Sequence, residues 1–323
     1  MENTVIENIE KIEVNESFAK LLEKANEIQN NCNDYVVNAK DIRMDNELNI
    51  LFDNNKLPMS DFASSGLCGK LKVPTVYFNR CAQQNKNLAA QNINEWLYDD
   101  QRQFLVREYN GHVRGLLSGS YARFDAPDIL KALSESMNMN HYKIKGSFIN
   151  EERLHVRLVE TEMLPIEGED LFAGITLDSS DIGRSGLYVR FFIYKQICTN
   201  GLIIPKTSGE LFRQKHVGIN SDDFKTSLIE GLESYEEIKS NVVEMIRASK
   251  EIPTETDIEE LTEQIKTQTR LTDDVVDEVI MLMDTTYDHS KWGLINGITE
   301  VAQKYTLERR LQLEQIAGEM LVK

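Results

Sequence analysis

The sequence predicts an α+β protein: an antiparallel sheet of about six strands with one inserted helix, flanked by N-terminal and C-terminal helices. Three observations lead there. Strand-like stretches crowd the middle of the chain, apolar residues at helical spacing fill both ends, and the central strands alternate apolar and polar residues as antiparallel strands with one solvated face do. Residues 1–100 read as a mostly helical region, 101–228 as an antiparallel β core and 229–323 as an acidic helical region. All are integrated into one domain from about residue 35 to 323.

Val5, Ile9 and Ile12 precede a helical spacing at Phe18, Leu21, Leu22, Ala25 and Ile28, with Asn15 or Ser17 as N-cap. Residues 35–52 alternate as a strand or hairpin turning at Asp45-Asn46. Ser60 caps a short helix that ends at Lys72-Val73-Pro74, because proline cannot continue it and restricts the residue before. Further helices start near Thr75 and Leu88. Asn110-Gly111 turns a hairpin over 103–124, since both residues accept the positive φ that a tight hairpin turn requires. Asp125 caps a helix carrying Pro127 in its first turn.

Two strands joined at Asn150-Glu151-Glu152 follow, with His155 expected on the solvated face, and then a strand holding Phe172, Ile175 and Leu177. The stretch Gly186–Gly218 holds the longest apolar, β-branched and aromatic run, a Thr-Asn-Gly hinge and a cationic cluster. It carries five Lys/Arg against one Glu. Ser221-Asp222-Asp223 caps the next helix, with Phe224, Leu228 and Leu232. From Glu230 to Asp288 the chain is helical, with seventeen Asp/Glu against five Lys/Arg. Leu307, Leu311, Ile316 and Leu321 stripe the last helix, which predicts a homo-oligomer or, equally, packing onto the protomer's own core.

Composition excludes several classes. No apolar run approaches the roughly 20 residues of a membrane-spanning helix, so no membrane partner is expected. The start, MENTVIENIEKIEVNE, is acidic and lacks a basic-then-apolar leader, which predicts a cytoplasmic protein. Cys32, Cys68, Cys81 and Cys198 form no CxxC pair, and the five histidines form no HxxxH, HxH or HExxH pattern. Phosphate-loop, dinucleotide and serine-hydrolase signatures are missing as well. The sequence therefore predicts no catalytic residue, metal or cofactor. Asp273, Asp274, Asp277 and Glu278 read as a solvated acidic helix face, and Asp178–Arg184 as a hairpin loop.

The net charge of −17 repels phosphate backbones, so nucleic-acid binding requires a local basic surface. Arg114 and Arg123 on the first hairpin, and Arg190, Lys195, Lys206, Arg213, Lys215 and His216 on and after the last, are the candidates. Tyr121 and Tyr194 are the candidate stacking residues. These residues would share a groove if the two hairpins were neighbours in the sheet.

Three segments together resemble a phage- and plasmid-borne family known as domain of unknown function 932. They contain Val113, Arg114, Ser118, Tyr121 and Asp125; then Cys198, Asn200 and Gly201 with Lys215 and His216; and finally Trp292, Asn296 and Thr299. The resemblance spans roughly residues 57 to 320 and departs at the long acidic insert from about 230 to 288. It implies a mobile-element origin, chiefly bacteriophage, and supplies no catalytic residues. The expectation is a phage-encoded, non-catalytic nucleic-acid protein that binds or anneals single-stranded DNA in recombination or replication. The alternative is an acidic inhibitor or adaptor that engages a host protein or defence factor through residues 230–288.

Overall fold

The computed structural model describes residues 17–196, 200–216, 221–255 and 257–323. The expected pattern at Val5, Ile9 and Ile12, the Cys198 part of the hinge, and the side chains of Asn200, Lys206, Ser221, Asp222 and Phe224 lie outside the described residues.

The chain opens with α1 (Phe18–Asn30), β1 (Cys32–Asn38) and the short strands β2 (Arg43–Met44), β3 (Ile50–Phe52) and β4 (Asn55–Leu57). Helices α2 (Asp61–Lys70), α3 (Thr75–Gln84) and α4 (Lys86–Tyr98) follow, then the hairpin β5 (Gln103–Tyr109) and β6 (His112–Ser118). The predicted caps form: Ser17 Oγ accepts from the Lys20 N–H and Ser60 Oγ from the Ala63 N–H. Asn110 and Gly111 both take positive φ, 47° and 82°, as the tight turn demands. Residues 43–57 make a small sheet of their own, β2-β3-β4.

After α5 (Ala126–Ser136) come β7 (Tyr142–Ile149), β8 (Leu154–Met163), β9 (Leu171–Ser179), β10 (Leu187–Lys195) and β11 (Asn200–Ile203). The one-turn α6 (Lys206–Gly209), β12 (Glu210–Gln214) and α7 (Ser221–Leu232) lead to α8 (Tyr235–Glu251), α9 (Ile258–Thr269), α10 (Asp273–Thr285), α11 (Lys291–Val301) and α12 (Leu307–Val322). The fold is thus α+β, with a six-stranded antiparallel sheet ordered β7-β8-β9-β10-β11. β12 shares with β11 the same edge of β10.

The Asn110-Gly111 hairpin does not join that sheet. It pairs with β1 in a separate three-stranded sheet, β1-β5-β6, with Cys32 opposite Tyr109 and Asn38 opposite Gln103. Two large apolar cores result. One lies between this sheet and α2–α4 and contains Phe52, Leu67, Phe78, Ile93, Phe104 and Leu116. The other gathers the inner face of the large sheet (Val156, Ile175, Val189, Phe191) with α1, α5 and α7–α12. We call these the small and large lobes.

Strand periodicity makes the two faces of the large sheet different. Inward rows are apolar: Val156, Leu177, Val189 and Phe212 sit at successive cross-strand positions. The outward rows read Phe148–His155–Asp178–Tyr188–Arg213 and Gly146–Arg157–Thr176–Arg190. α12 lies against one end of this outer face, where Leu311 packs on a small apolar cluster of Val159, Phe192, Tyr194 and Ile203. Of the striped residues, Leu307 and Leu321 are buried, and Leu311 and Ile316 pack on the chain's own cores, so the stripe is used within the protomer.

Gly318 allows that close approach: a Cβ there would lie 2.0 Å from the Ile203 carbonyl oxygen. Gly318→Ala is expected to push α12 off the sheet edge and cost about 1–3 kcal/mol, the usual penalty for overpacking. Thermal unfolding of the variant checks it, and an unchanged melting temperature counts against the contact.

Candidate nucleic-acid interface

The nine candidate residues whose side chains are described fall into separate places, because the two hairpins lie in different sheets. Arg190 and Arg213 come together on the open end of the outer face. Tyr188 stands directly across from Arg213 in the β10–β12 register and two residues from Arg190. The Arg190 guanidinium lies 5.0 Å from the centre of the Tyr188 ring and the Arg213 guanidinium 5.2 Å. Both are cation–π distances, so the ring holds two guanidinium groups side by side on a partly solvated sheet surface. Arg190 Nη1 also donates to Gln315 Oε1 of α12 at 3.2 Å, and Arg213 and Lys215 are exposed.

Beneath this pair the outer face stays polar. Arg153 Nη2 donates to Asp178 Oδ1 at 3.1 Å, and His155 Nδ1 lies 3.0 Å from the same oxygen. His155, expected to be solvated, is instead fully buried in its cross-strand row between Phe148 and Asp178. Burial holds its pKa below the ordinary imidazole value although Asp178 pulls the other way. Burial alone would raise Asp178, but His155 and Arg153 outweigh it and keep this carboxylate ionised.

Arg114, Tyr121, Arg123 and His216 gather elsewhere, at the junction of the two lobes. Arg114 is 1% exposed and donates to the Glu151 carbonyl, so its guanidinium is committed inside the molecule. His216 stacks between Phe124 and Tyr121, with ring centres 4.0 and 5.0 Å away. Desolvation holds it down to about 4, so it is neutral near pH 7. The Tyr121 hydroxyl donates to the Ser180 carbonyl at 3.2 Å. Arg123, about half exposed, lies 3.6 Å from Asp34. At their centre Arg107, a cation of the same hairpin that was not among the ten candidates, makes a two-pronged pair with Asp125. It also donates to Asp34 Oδ1 at 2.9 Å and to the Asp181 carbonyl at 2.7 Å.

Tyr194 is buried beneath α12, with the Lys145 ammonium 5.7 Å from its ring centre. Lys195 points to the other face, into a cavity of about 420 Å³ between the β8–β9 loop and the start of α11. Its ammonium donates to Glu169 Oε2 and Asn296 Oδ1, both at 3.0 Å, and lies 4.9 Å from the Tyr287 ring centre. Trp292 Nε1 and Lys250 Nζ complete the donors to Glu169, at 2.8 and 3.3 Å. Of the third resemblance segment, Trp292 thus binds the Glu169 carboxylate directly, and Asn296 is joined to it through the Lys195 ammonium. Nothing in the sequence marked Glu169 as the partner of Trp292, because it arrives from a loop more than 100 residues away.

Among the described residues no group of three or more His, Cys, Asp or Glu is placed to hold a metal ion, and no helix is long and apolar enough to cross a membrane. Comparison with protein-family models, curated proteins and solved structures finds no match for the chain.

Proposed function

We propose that the protein is a non-catalytic single-stranded nucleic-acid binder of mobile-element origin, acting in phage recombination or replication in the host cytoplasm, and that it binds through the open end of the outer sheet face. One observation carries the reading: Arg190 and Arg213 flank the Tyr188 ring on a partly solvated strand surface, with exposed Lys215 two residues beyond Arg213. Guanidinium groups spaced by a ring can meet successive phosphates while their planes offer bases a stacking surface.

The distribution of charge supports the same reading despite the net −17. The acidic helices α8 and α10 belong to the large core, built on the inner face of the sheet, whereas the arginines lie on the outer face. A strand approaching the outer face therefore meets cations first, and the sheet separates it from much of the acidic layer. Nearby charges dominate, because screening confines each to about 8–10 Å at physiological salt.

The test is fluorescence anisotropy with a labelled single-stranded oligonucleotide at about 50 and 200 mM salt. Wild type is expected to bind at the lower salt and lose at least tenfold in affinity at the higher. Arg190→Glu/Arg213→Glu is expected to abolish binding. Equal affinity in wild type and the double variant overturns this interface. No binding by wild type at the lower salt overturns the function and leaves the acidic layer, facing a basic host protein, as the surface to pursue.

A further inference from the structure

Exposed apolar side chains concentrate on one helical hairpin. Among the described residues eleven large hydrophobic side chains are exposed, and five of them, Val76, Tyr77, Leu88, Trp96 and Tyr98, lie on α3 and α4. Scattered singly they would need no explanation. Gathered on two adjoining helices, with three aromatic rings, they form the kind of face that a partner buries. Leu88, Asn92 and Trp96 follow one another four residues apart along α4, so they share one stripe, while Ala89, Ala90, Ile93 and Leu97 turn inward to the small-lobe core. Asn92 Nδ2 donates to the Tyr77 hydroxyl at 3.3 Å, which sets α3 beside the middle of that stripe. The two helices run antiparallel about Asn85. Arg80, one turn on from Tyr77, therefore stands level with the Leu88 end, and Glu95 and Asp99 stand at the Trp96 end. All three are exposed, and none has an ion-pair partner among the described residues, whereas Lys86 is held by Glu47 at 2.9 Å.

We propose that this α3–α4 face is the interface of a twofold dimer, its occupant a second copy of the chain. An isologous contact requires a surface complementary to itself. A twofold axis near Asn92 meets that requirement: it sets Leu88 of one copy against Trp96 of the other, and Arg80 of one copy against Glu95 and Asp99 of the other, at both ends of the contact. The distribution of charge selects the same face. Two copies of a chain carrying −17 repel each other, but residues 31–118 hold ten Lys/Arg against ten Asp/Glu, so the small lobe adds nothing to that total. It is the surface on which two copies can meet. The thirteen residues of α4 extend about 20 Å, and two helices abreast give a contact at the small end of specific interfaces, so association is expected at about micromolar concentration.

Sedimentation velocity over roughly 5–200 µM chain tests the proposal, a range that brackets micromolar dissociation constants. Wild type is expected to pass from monomer to dimer, and Trp96→Asp to remain monomeric throughout. Trp96 is 58% exposed, so that change spares the core of the lobe. Charge reversals report the symmetry. Arg80→Glu and the double variant Glu95→Arg/Asp99→Arg are each expected to be monomeric, because like charges then meet at both ends. An equimolar mixture of the two is expected to dimerise again, since every charged contact between unlike copies is attractive. Wild type that stays monomeric across the range overturns the dimer, as does a dimer that survives Trp96→Asp or a mixture that stays monomeric. Monomeric wild type whose affinity for single-stranded DNA falls on Trp96→Asp also overturns it, and assigns the aromatic face to nucleic acid instead.

Discussion

Arg107→Ala is expected to lower global stability by about 3–5 kcal/mol, the cost of stripping the partner from a buried ion pair. The size follows from the setting. Arg107 is 1% exposed, its guanidinium serves Asp125, Asp34 and the Asp181 carbonyl at once, and truncation leaves the Asp125 side chain in a dry site with no comparable donor. Arg107→Lys is expected to recover only part of the loss, because one ammonium cannot reproduce the planar fork against a carboxylate. Because the residue joins two lobes with separate apolar cores, the Ala variant is also expected to unfold in two resolved steps. Urea titration followed by circular dichroism and tryptophan fluorescence checks both: Trp96 reports on the small lobe and Trp292 on the large. A loss under about 1 kcal/mol means that apolar contacts, not this arginine, hold the lobes together.

Glu314→Ala is expected to have a comparable effect at the other end of the large sheet. Glu314 is fully buried in α12 and joins Arg157 of β8, while Arg310 Nε donates to it at 2.9 Å. The Arg157 guanidinium also lies 4.8 Å from the Phe192 ring centre, beneath the helix. Removing the carboxylate strands that guanidinium among apolar groups, for about 3–5 kcal/mol. Replacing both partners, as in Arg157→Met/Glu314→Leu, is expected to restore most of the stability, since an apolar pair of similar size carries no desolvation cost. A double variant as unstable as Glu314→Ala would show that packing geometry, not charge, fixes α12.

Local signals were legible in the sequence. Asn110-Gly111 announced its turn, and Asp125 with Pro127 announced α5, because each depends on the backbone preferences of adjacent residues. Alternation in 142–195 likewise gave four of the six strands of the large sheet, β7 to β10, but not β12. The assignment of the first hairpin to its own sheet was not legible: its partner β1 lies about 70 residues earlier, and period-two alternation says nothing about which strand sits next door. The same limit hid the fates of the cations. Arg114 and Arg190 look alike in sequence, yet one is sealed at the junction and the other lies beside Tyr188 on a sheet surface. The distinction comes from Asp181, Glu151 and α12, all far away along the chain.

Those long separations shape how the chain must be made. During synthesis Asp34 waits 73 residues for Arg107, and Arg157 waits 157 residues for Glu314. At roughly 5–20 residues per second, the β8 arginine spends on the order of ten seconds or more without its counter-charge. The small lobe can close once residue 118 has left the ribosome, but the large sheet cannot settle its outer face until the last helix is released. The ion pair therefore closes only after α12 has emerged, and a polypeptide stopped short of residue 314 is expected to remain a substrate for chaperones and proteases.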